Sequence, residues 1–276
     1  DAWPLVLATQ DPDEIVRIVK AVAPNFGGIN LEDIAAPACF DIEERLIEEL
    51  DIPVMHDDQH GTAIVVLAGL INAAKVVEKS FKKLRVVVSG AGAAGTAVAK
   101  LLYAAGIKDI ILLDRVGTIY AGRVGLNEHK TMLAMLSNPR MVAGGLTEAM
   151  QDADVFVGVS GKGLLKAEHV VRMAPRGIVF ALANPDPEIL PDEAWQAGAE
   201  VVATGRSDFP NQINNALVFP GIFRGALDKG VKKITEATKL RAARALAALV
   251  KHPTAENIIP DLLDSRVVKA VAGAVR

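Results

Sequence analysis

The sequence predicts an α/β protein in which a doubly wound parallel sheet follows part of a second α/β domain. The 276 residues are 51% hydrophobic but only 4% aromatic, a composition that favours helices packed on a parallel sheet over an all-β sandwich. From Leu84 onward, short apolar runs alternate with turns or helical patterns, which indicates βαβ units. A glycine-rich turn directly after the first of these runs supports the same fold class.

Charge and cysteine content narrow the possible functions. Thirty basic and thirty-three acidic residues give a net charge of −3, so we expect no nucleic-acid or anionic-membrane partner. A single cysteine, Cys39, excludes an internal disulfide framework and indicates a reducing, cytoplasmic compartment. The longest apolar stretch, Ala63 to Leu70, is too short to span a bilayer. The sequence begins without Met or a basic leader, so we expect part of a longer protein.

Residues 1–80 are predicted to form part of one domain from helices and acidic turns. An amphipathic helix is expected around Asp13–Val22 and a charged helix over Asp41–Leu50. A polar loop over Asp51–Gly61 should precede a nearly all-apolar helix over Thr62–Val77. A helix that is apolar on most faces belongs in the protein interior.

Residues 81–230 contain the predicted parallel sheet. Its first strand ends at Ser89, a helix follows over Ala93–Ala105, and a long excursion rich in glycine and charge covers Val116–Gly145. The other strands are predicted at Ile110–Leu113, Asp154–Val159, Gly177–Leu182 and Glu200–Ala203. Helices are expected over Asn211–Gly230, with a kink at Phe219–Gly221, and over Thr235–Val250. We expect residues 231–276 to pack back on the first domain.

The glycine-rich turn fits the pattern G-x-G-x-x-G. It consists of Gly90, Ala91, Gly92, Ala93, Ala94 and Gly95. In this pattern the first glycine makes a tight turn, the second lets a pyrophosphate approach the backbone, and the third allows close packing of helix on strand. The helix that follows points unpaired N–H groups at the phosphates. We therefore predict a Rossmann-like, NAD(P)-binding domain.

Asp114 ends the next predicted strand, nineteen residues beyond Gly95. An acid at this place can accept hydrogen bonds from the adenosine ribose. Arg115 beside it could instead pair with a 2′-phosphate. The two residues leave NAD and NADP both open, with a slight preference for NAD.

Four carboxylates beside glycine-containing turns form a candidate metal site. They belong to Glu32, Asp33, Asp57 and Asp58. Mg²⁺ and Mn²⁺ prefer carboxylate and water ligands, but acids in such places are as often solvated loop or helix-capping residues. The flanking His56 and His60 are expected to be hydrogen-bonded rather than zinc ligands.

Polar and glycine residues also follow the later predicted strands. These candidates are Val159, Ser160, Gly161, Asn184, Asn214 and Asn215. Ligands bind at the carboxyl edge of open α/β sheets, and amides there can hold a carboxylate or a nicotinamide. Asparagine is equally an ordinary capping and turn residue, so these positions alone leave both interpretations open.

Six segments together resemble malic enzyme, best in its short bacterial or archaeal form. In the order of that family, and extending to Pro260, they are FGGINLEDIAAP, IPVMHDDQHGTA, VVVSGAGAAG, FALANPDPEI, ATGRSDFPNQINNALVFPG and IIP. The resemblance implies oxidative decarboxylation of malate to pyruvate and CO₂, with NAD⁺ or NADP⁺ reduced and Mg²⁺ or Mn²⁺ required. It also implies a homodimer or a higher homo-oligomer.

The same resemblance assigns roles to the candidate residues. It implies that Glu32, Asp33 and Asp58 bind the metal, while Asp57 positions a catalytic lysine. The glycine-rich turn and Asp114 would hold the dinucleotide.

Three further positions, Val159, Ser160 and Gly161, would lie along the path of the dinucleotide. Asn184 and Asn215 would contact substrate and nicotinamide, with Asn214 beside them.

The family's catalytic tyrosine and lysine lie upstream of the matched segments. This chain lacks the Tyr-Thr-Pro motif, and its candidate tyrosines and lysines, Tyr103, Tyr120, Lys20, Lys75 and Lys162, lack the family's surroundings. We therefore expect a malic enzyme without its N-terminal segment, incomplete as an enzyme by itself. Two alternatives stay open: a malolactic enzyme, which makes lactate without net cofactor reduction, and a non-catalytic dinucleotide-binding fragment.

Overall fold

The computed structural model describes residues 1–276 and contains eleven α-helices and eight strands. The helices are α1 (Pro12–Val22), α2 (Ala38–Glu49), α3 (Asp57–Val76), α4 (Ala93–Ala104), α5 (Glu128–Leu136), α6 (Leu146–Ala149), α7 (Ala167–Val171), α8 (Pro191–Gln196), α9 (Phe219–Lys229), α10 (Glu236–Ala247) and α11 (Arg266–Ala274). The strands are β1 (Ile29–Leu31), β2 (Val54–His56), β3 (Arg85–Ser89), β4 (Asp109–Asp114), β5 (Gly117–Thr118), β6 (Val155–Gly158), β7 (Gly177–Ala181) and β8 (Ala199–Thr204).

Six strands form the main sheet in the order β5-β4-β3-β6-β7-β8. All neighbours are parallel except the two-residue β5, which pairs antiparallel with β4. Alternate side chains enter two separate cores: Val86 and Phe180 pack with α3, α4 and α10, whereas Val87 and Phe156 pack with residues of α6, α7 and α8. Because side chains alternate between the faces of a strand, both faces are covered. The predicted α/β, doubly wound fold is confirmed.

A smaller unit precedes the main sheet. Strands β1 and β2 pair in parallel, with Leu31 opposite His56. Helices α1 and α2 pack on this pair around a core of their own that contains Ile15, Ile42 and Val54. The domain boundaries at residues 80 and 230 stay predictions.

Helix α3 begins at Asp57, so the prediction of a polar loop up to Gly61 is wrong. Asp57 and Asp58 occupy the first turn, where carboxylates stabilise the unpaired N–H groups and the positive end of the helix dipole. The rest of α3 is buried on most faces, as its apolar sequence predicts. The structure has no helix that combines the length and the apolar character needed to cross a membrane.

The prediction of a helix from Asn211 with a kink at Phe219–Gly221 is also wrong, because helix α9 begins at Phe219. Pro220 lies in the first turn, where its missing N–H group has no helical partner to lose. Farther along the chain, α10 packs against α3. The buried Asn72 amide of α3 donates to the carbonyl oxygens of Ala247 and Ile258, both at 2.9 Å.

Candidate active site

A cavity of about 440 Å³ lies between the start of α3 and the carboxyl ends of the sheet strands. The lining residues singled out from the sequence are Glu32, Asp58, Ala94, Val159, Ser160, Asn184, Asn214 and Asn215. Asp57 lies buried behind this wall at 1% exposure. Asp33, Gly161, Asp114 and Arg115 do not line the cavity. The fold therefore unites acids from the first 80 residues with amides from the distal strands.

Glu32 and Asp58 lie at the cavity wall, with Asp33 beside them. The Asp33 N–H donates to Oδ2 of Asp58 at 3.0 Å, and Asp33 adopts a left-handed backbone with φ of 56°. Such strain in a residue other than glycine is typical of functional sites. Partial desolvation and repulsion from Asp58 and Asp33 raise the pKa of Glu32. Glu32 is thus repelled by both neighbouring carboxylates.

Asp57 is held on one side only. Its Oδ2 accepts a hydrogen bond from the Asn215 amide at 2.7 Å, but its buried Oδ1 has no partner. Burial, followed by repulsion from Glu32 and Asp58, raises the pKa of Asp57 to about 7. A buried oxygen without a donor costs free energy, so this oxygen can accept a hydrogen bond from a further group.

The acidic side chains do not form a finished metal centre, since no three His, Cys, Asp or Glu side chains are arranged to hold an ion. Glu32 and Asp58 nevertheless line the same cavity. The donors are all carboxylate oxygens, which hard divalent cations prefer. Their mutual repulsion would be relieved by a bound cation, so the residues fit such an ion, and their role as ligands stays a prediction.

The two histidines beside these acids are hydrogen-bonded, as expected. Nε2 of His56 lies 3.2 Å from the Ile34 carbonyl oxygen. The carboxylate of Glu43 accepts from the backbone N–H of His56 at 2.7 Å and pairs with Nε2 of His60 at 2.9 Å. Lys239 on α10 donates to Nδ1 of His60 at 2.9 Å, and burial lowers the pKa of Lys239 to about 8. His60 therefore donates from Nε2 to Glu43.

Two residues of this network, Glu43 and Lys239, were not predicted from the sequence. One signal was available for Glu43, because it shares the buried face of α2 with Cys39, Ile42 and Leu46. An acid within an apolar helical stripe needs a polar partner. Nothing in the local sequence indicates that Lys239 meets His60.

The glycine-rich turn is built to receive a ligand at its middle glycine. Gly90 has a φ of +116°, and a Cβ there would lie 2.7 Å from the Val159 carbonyl oxygen. A Cβ on Gly95 would overlap the Gly90 carbonyl, whereas a Cβ on Gly92 would meet nothing within 4 Å. Helix α4 starts at Ala93 without a side-chain cap. The open space and the unpaired N–H groups fit a dinucleotide pyrophosphate.

The carboxylate of Asp114 is already paired with two cationic side chains. Arg123 donates to its Oδ1 at 2.9 Å and its Oδ2 at 2.5 Å, and Lys130 donates to Oδ2 at 2.6 Å. Burial acts to raise the pKa of Asp114, but these hydrogen bonds hold it well below its usual range. Arg115 is exposed. The structure therefore adds Arg123 and Lys130, which the sequence analysis missed, to the candidate ribose site.

Two family models match the chain. The model of the malic enzyme NAD-binding domain covers residues 59–276, and that of the malic enzyme N-terminal domain covers residues 7–47. The bifunctional malic/malolactic enzyme of Bacillus subtilis is 54% identical over the whole chain, which covers 68% of that relative. The NAD-dependent malic enzyme of Geobacillus stearothermophilus is also 54% identical over the whole chain, which covers 58% of it.

An NADP-dependent relative and a solved structure support the same family assignment. The NADP-dependent malic enzyme of Halomonas elongata is 46% identical over 96% of the chain and 67% of its own length. The crystal structure of the NAD-dependent malic enzyme from Thermotoga maritima has a TM-score of 0.95 and 47% identity, covering 100% of this chain and 73% of that one. The chain thus spans 58% to 68% of the three curated relatives. The predicted resemblance is confirmed, and the chain belongs to the malic enzyme family.

Proposed function

We propose that this chain carries the dinucleotide site and the candidate metal site of an enzyme that oxidatively decarboxylates malate. The products are pyruvate and CO₂, and NAD⁺ or NADP⁺ is reduced. The observation that carries the proposal is the cavity in which Glu32 and Asp58 face Asn184 and Asn215. Carboxylates for a cation and amides for substrate and nicotinamide thereby lie beside a phosphate-binding turn.

The acids would hold the divalent cation. Glu32, Asp33 and Asp58 supply oxygen ligands suited to Mg²⁺ or Mn²⁺. Such an ion, when bound, supplies Lewis-acid chemistry and compensates the negative charge of a dicarboxylate substrate. The backbone N–H of Asp33 keeps Asp58 oriented through its 3.0 Å hydrogen bond.

Asp57 would position a proton-transfer group. Asn215 fixes its Oδ2, which leaves the buried Oδ1 as an acceptor for one more donor. A neutral lysine amine supplied by a part of the family's chain beyond the present match would satisfy this acceptor through one of its N–H bonds. Oxidation of malate needs a base for the C2 hydroxyl proton, and Asp57 would orient that base.

The dinucleotide would lie along the strand ends. The open space at Gly92 and the start of α4 would receive the pyrophosphate, and Ser160 and Asn184, which line the cavity, would lie along the rest of the cofactor. A bound nicotinamide would supply the redox chemistry, as the acceptor of a hydride. Relatives use NAD or NADP, and the paired carboxylate of Asp114 permits either.

A malolactic reaction is a second candidate. It is favoured by the Bacillus subtilis relative, which is a bifunctional malic/malolactic enzyme at 54% identity. Both reactions consume malate, but only the malic enzyme reaction reduces the cofactor without re-oxidising it. A homo-oligomeric state, a cytoplasmic location and the absence of nucleic-acid and membrane partners stay predictions.

Binding and product analysis test the proposal. Titration of the 276-residue chain with NADH and with Mn²⁺ should reveal one site for each. A form extended to the full length of the relatives should convert malate, Mn²⁺ and NAD⁺ or NADP⁺ to pyruvate and reduced cofactor. Lactate without net cofactor reduction would favour the malolactic reaction. No binding of either ligand would contradict the proposed function.

A further inference from the structure

Glu188 is a fully buried carboxylate at the carboxyl edge of the sheet. Its exposed fraction is 0%, and it lies in the segment between β7 and α8. It does not line the cavity. No role was predicted for it from the sequence, and the proposed chemistry assigns it none. A buried carboxylate is nevertheless costly unless it is hydrogen-bonded.

The hydrogen bonds of Glu188 join the ends of two neighbouring strands. Its Oε1 accepts from the Ser160 N–H at 2.9 Å and from the Ser160 hydroxyl at 3.3 Å. Its Oε2 accepts from the Ala183 N–H at 3.1 Å. Ser160 follows β6 and Ala183 follows β7, so one carboxylate sets the spacing between two turns that line the cavity.

The network extends to a third strand. The hydroxyls of Ser89 and Ser160 are 3.1 Å apart. Because the Ser160 hydroxyl donates to Glu188, the Ser89 hydroxyl donates to Ser160. Ser89 is the last residue of β3, directly before Gly90, so the network reaches the phosphate-binding turn.

The backbone leaves room for this carboxylate. A Cβ on Gly158 would lie 2.6 Å from both carboxylate oxygens of Glu188. Only glycine at the end of β6 therefore admits the buried acid. Burial raises the pKa of Glu188, while the N–H groups of Ser160 and Ala183 act in the opposite direction.

We propose that Glu188 is a positioning residue for the dinucleotide. Through Ser160 and Ala183 it holds the turns after β3, β6 and β7 in the arrangement that receives the cofactor. The inference rests on the proposed dinucleotide site and assigns Glu188 no contact with the reacting atoms.

The first test is Glu188→Gln in the 276-residue chain. The amide keeps the volume of the side chain but offers a single acceptor, so an NH₂ group must face the N–H of Ser160 or Ala183. We expect the Kd for NADH, measured by fluorescence titration, to rise about tenfold. The matched control Glu193→Gln removes the same charge at an exposed position of α8 and should leave the Kd within about twofold.

A double-mutant cycle separates positioning from stability. Ser89→Ala should raise the NADH Kd about threefold by itself. In the double variant with Glu188→Gln, the rise in the NADH Kd should be smaller than the product of the two single-variant rises, because both substitutions act through Ser160. Independent effects would overturn the proposal, as would a lower melting temperature of Glu188→Gln with an unchanged Kd.

Two remaining outcomes are also decisive. If Glu188→Gln does not fold, Ser89→Ala decides alone, and an unchanged NADH Kd in that variant overturns the proposal. If the unmodified chain binds no NADH, the proposed function itself fails and the inference fails with it. Wild-type binding with unchanged variants overturns only the role of Glu188.

Discussion

The side chains of Asp57 and Asn215 meet at 2.7 Å although 158 residues separate them in the chain. Asp57 opens α3, and Asn215 lies in the turn that precedes α9. This hydrogen bond holds the acidic N-terminal end of α3 against the asparagine side chains that follow the last strand of the sheet. It orients one Asp57 oxygen and leaves the other without a donor.

The first prediction concerns the glycine that makes room for this pair. In Gly61→Ala, the added Cβ would overlap Oδ1 of Asp57 and lie 3.0 Å from Cβ of Asn215. We expect the free energy of unfolding in urea to fall by about 1–3 kcal/mol. Gly273→Ala is the control, since a Cβ there meets nothing within 4 Å and alanine favours a helix. Equal stability of both variants would show that Asp57 moves aside without cost.

The second prediction tests the metal ligands. Asp58→Asn replaces a charged oxygen ligand by a neutral one and should weaken Mn²⁺ binding by about 2 kcal/mol, roughly thirtyfold. Isothermal titration of Mn²⁺ into both proteins measures this difference. Asp192→Asn, at an exposed position of α8, should bind Mn²⁺ as the wild type does. Equal affinities for Asp58→Asn and the wild type would reject Asp58 as a ligand.

The third prediction concerns cofactor choice. Asp114→Ser releases Arg123 and Lys130 from their shared carboxylate, so both cations become available to a 2′-phosphate. The ratio of NAD to NADP affinity should shift at least about tenfold toward NADP. Asp109→Ser, at the opposite end of β4, is the control. An unchanged ratio for Asp114→Ser would show that Asp114 lies away from the ribose.

The fourth prediction is that residues 1–276 bind the dinucleotide but do not turn over malate. The reaction needs a base at the C2 hydroxyl and an acid at C3, and losing each costs about two to four orders of magnitude. Malate-dependent absorbance of reduced cofactor measures the rate. Turnover close to that of a full-length relative would contradict this prediction.

The structure also excludes Lys75 as the base, although it is the lysine nearest in sequence to Asp57 and Asp58. Lys75 donates to Asn72 near the far end of α3. Eighteen residues of α-helix place it about 27 Å from Asp57. Any activity of residues 1–276 would therefore need a different lysine.

The local pattern of the sequence was sufficient for the sheet and its phosphate-binding turn. Strands β3, β6 and β7 lie within the predicted apolar runs, and β4 and β8 extend one residue beyond theirs at each end, because strands buried on both faces need continuous apolar residues. The positions of Gly90 and Gly95 follow from their spacing, although the Val159 carbonyl that excludes a Cβ at Gly90 comes from the end of the neighbouring strand. The family motifs extended the prediction from the fold to the candidate metal, substrate and cofactor residues.

Tertiary structure decided which polar groups meet. Glu188 reaches Ser160, Arg123 reaches Asp114, and Lys239 reaches His60 across 9 to 179 residues. At the start of α3, where the sequence suggested a polar loop, Glu43 accepts from the backbone N–H of His56 and pairs with His60. The sequence by itself determined the elements whose stability is local or periodic. The partners of buried charges were decided only by folding, because desolvation makes their pairing obligatory while the sequence leaves the choice of partner open.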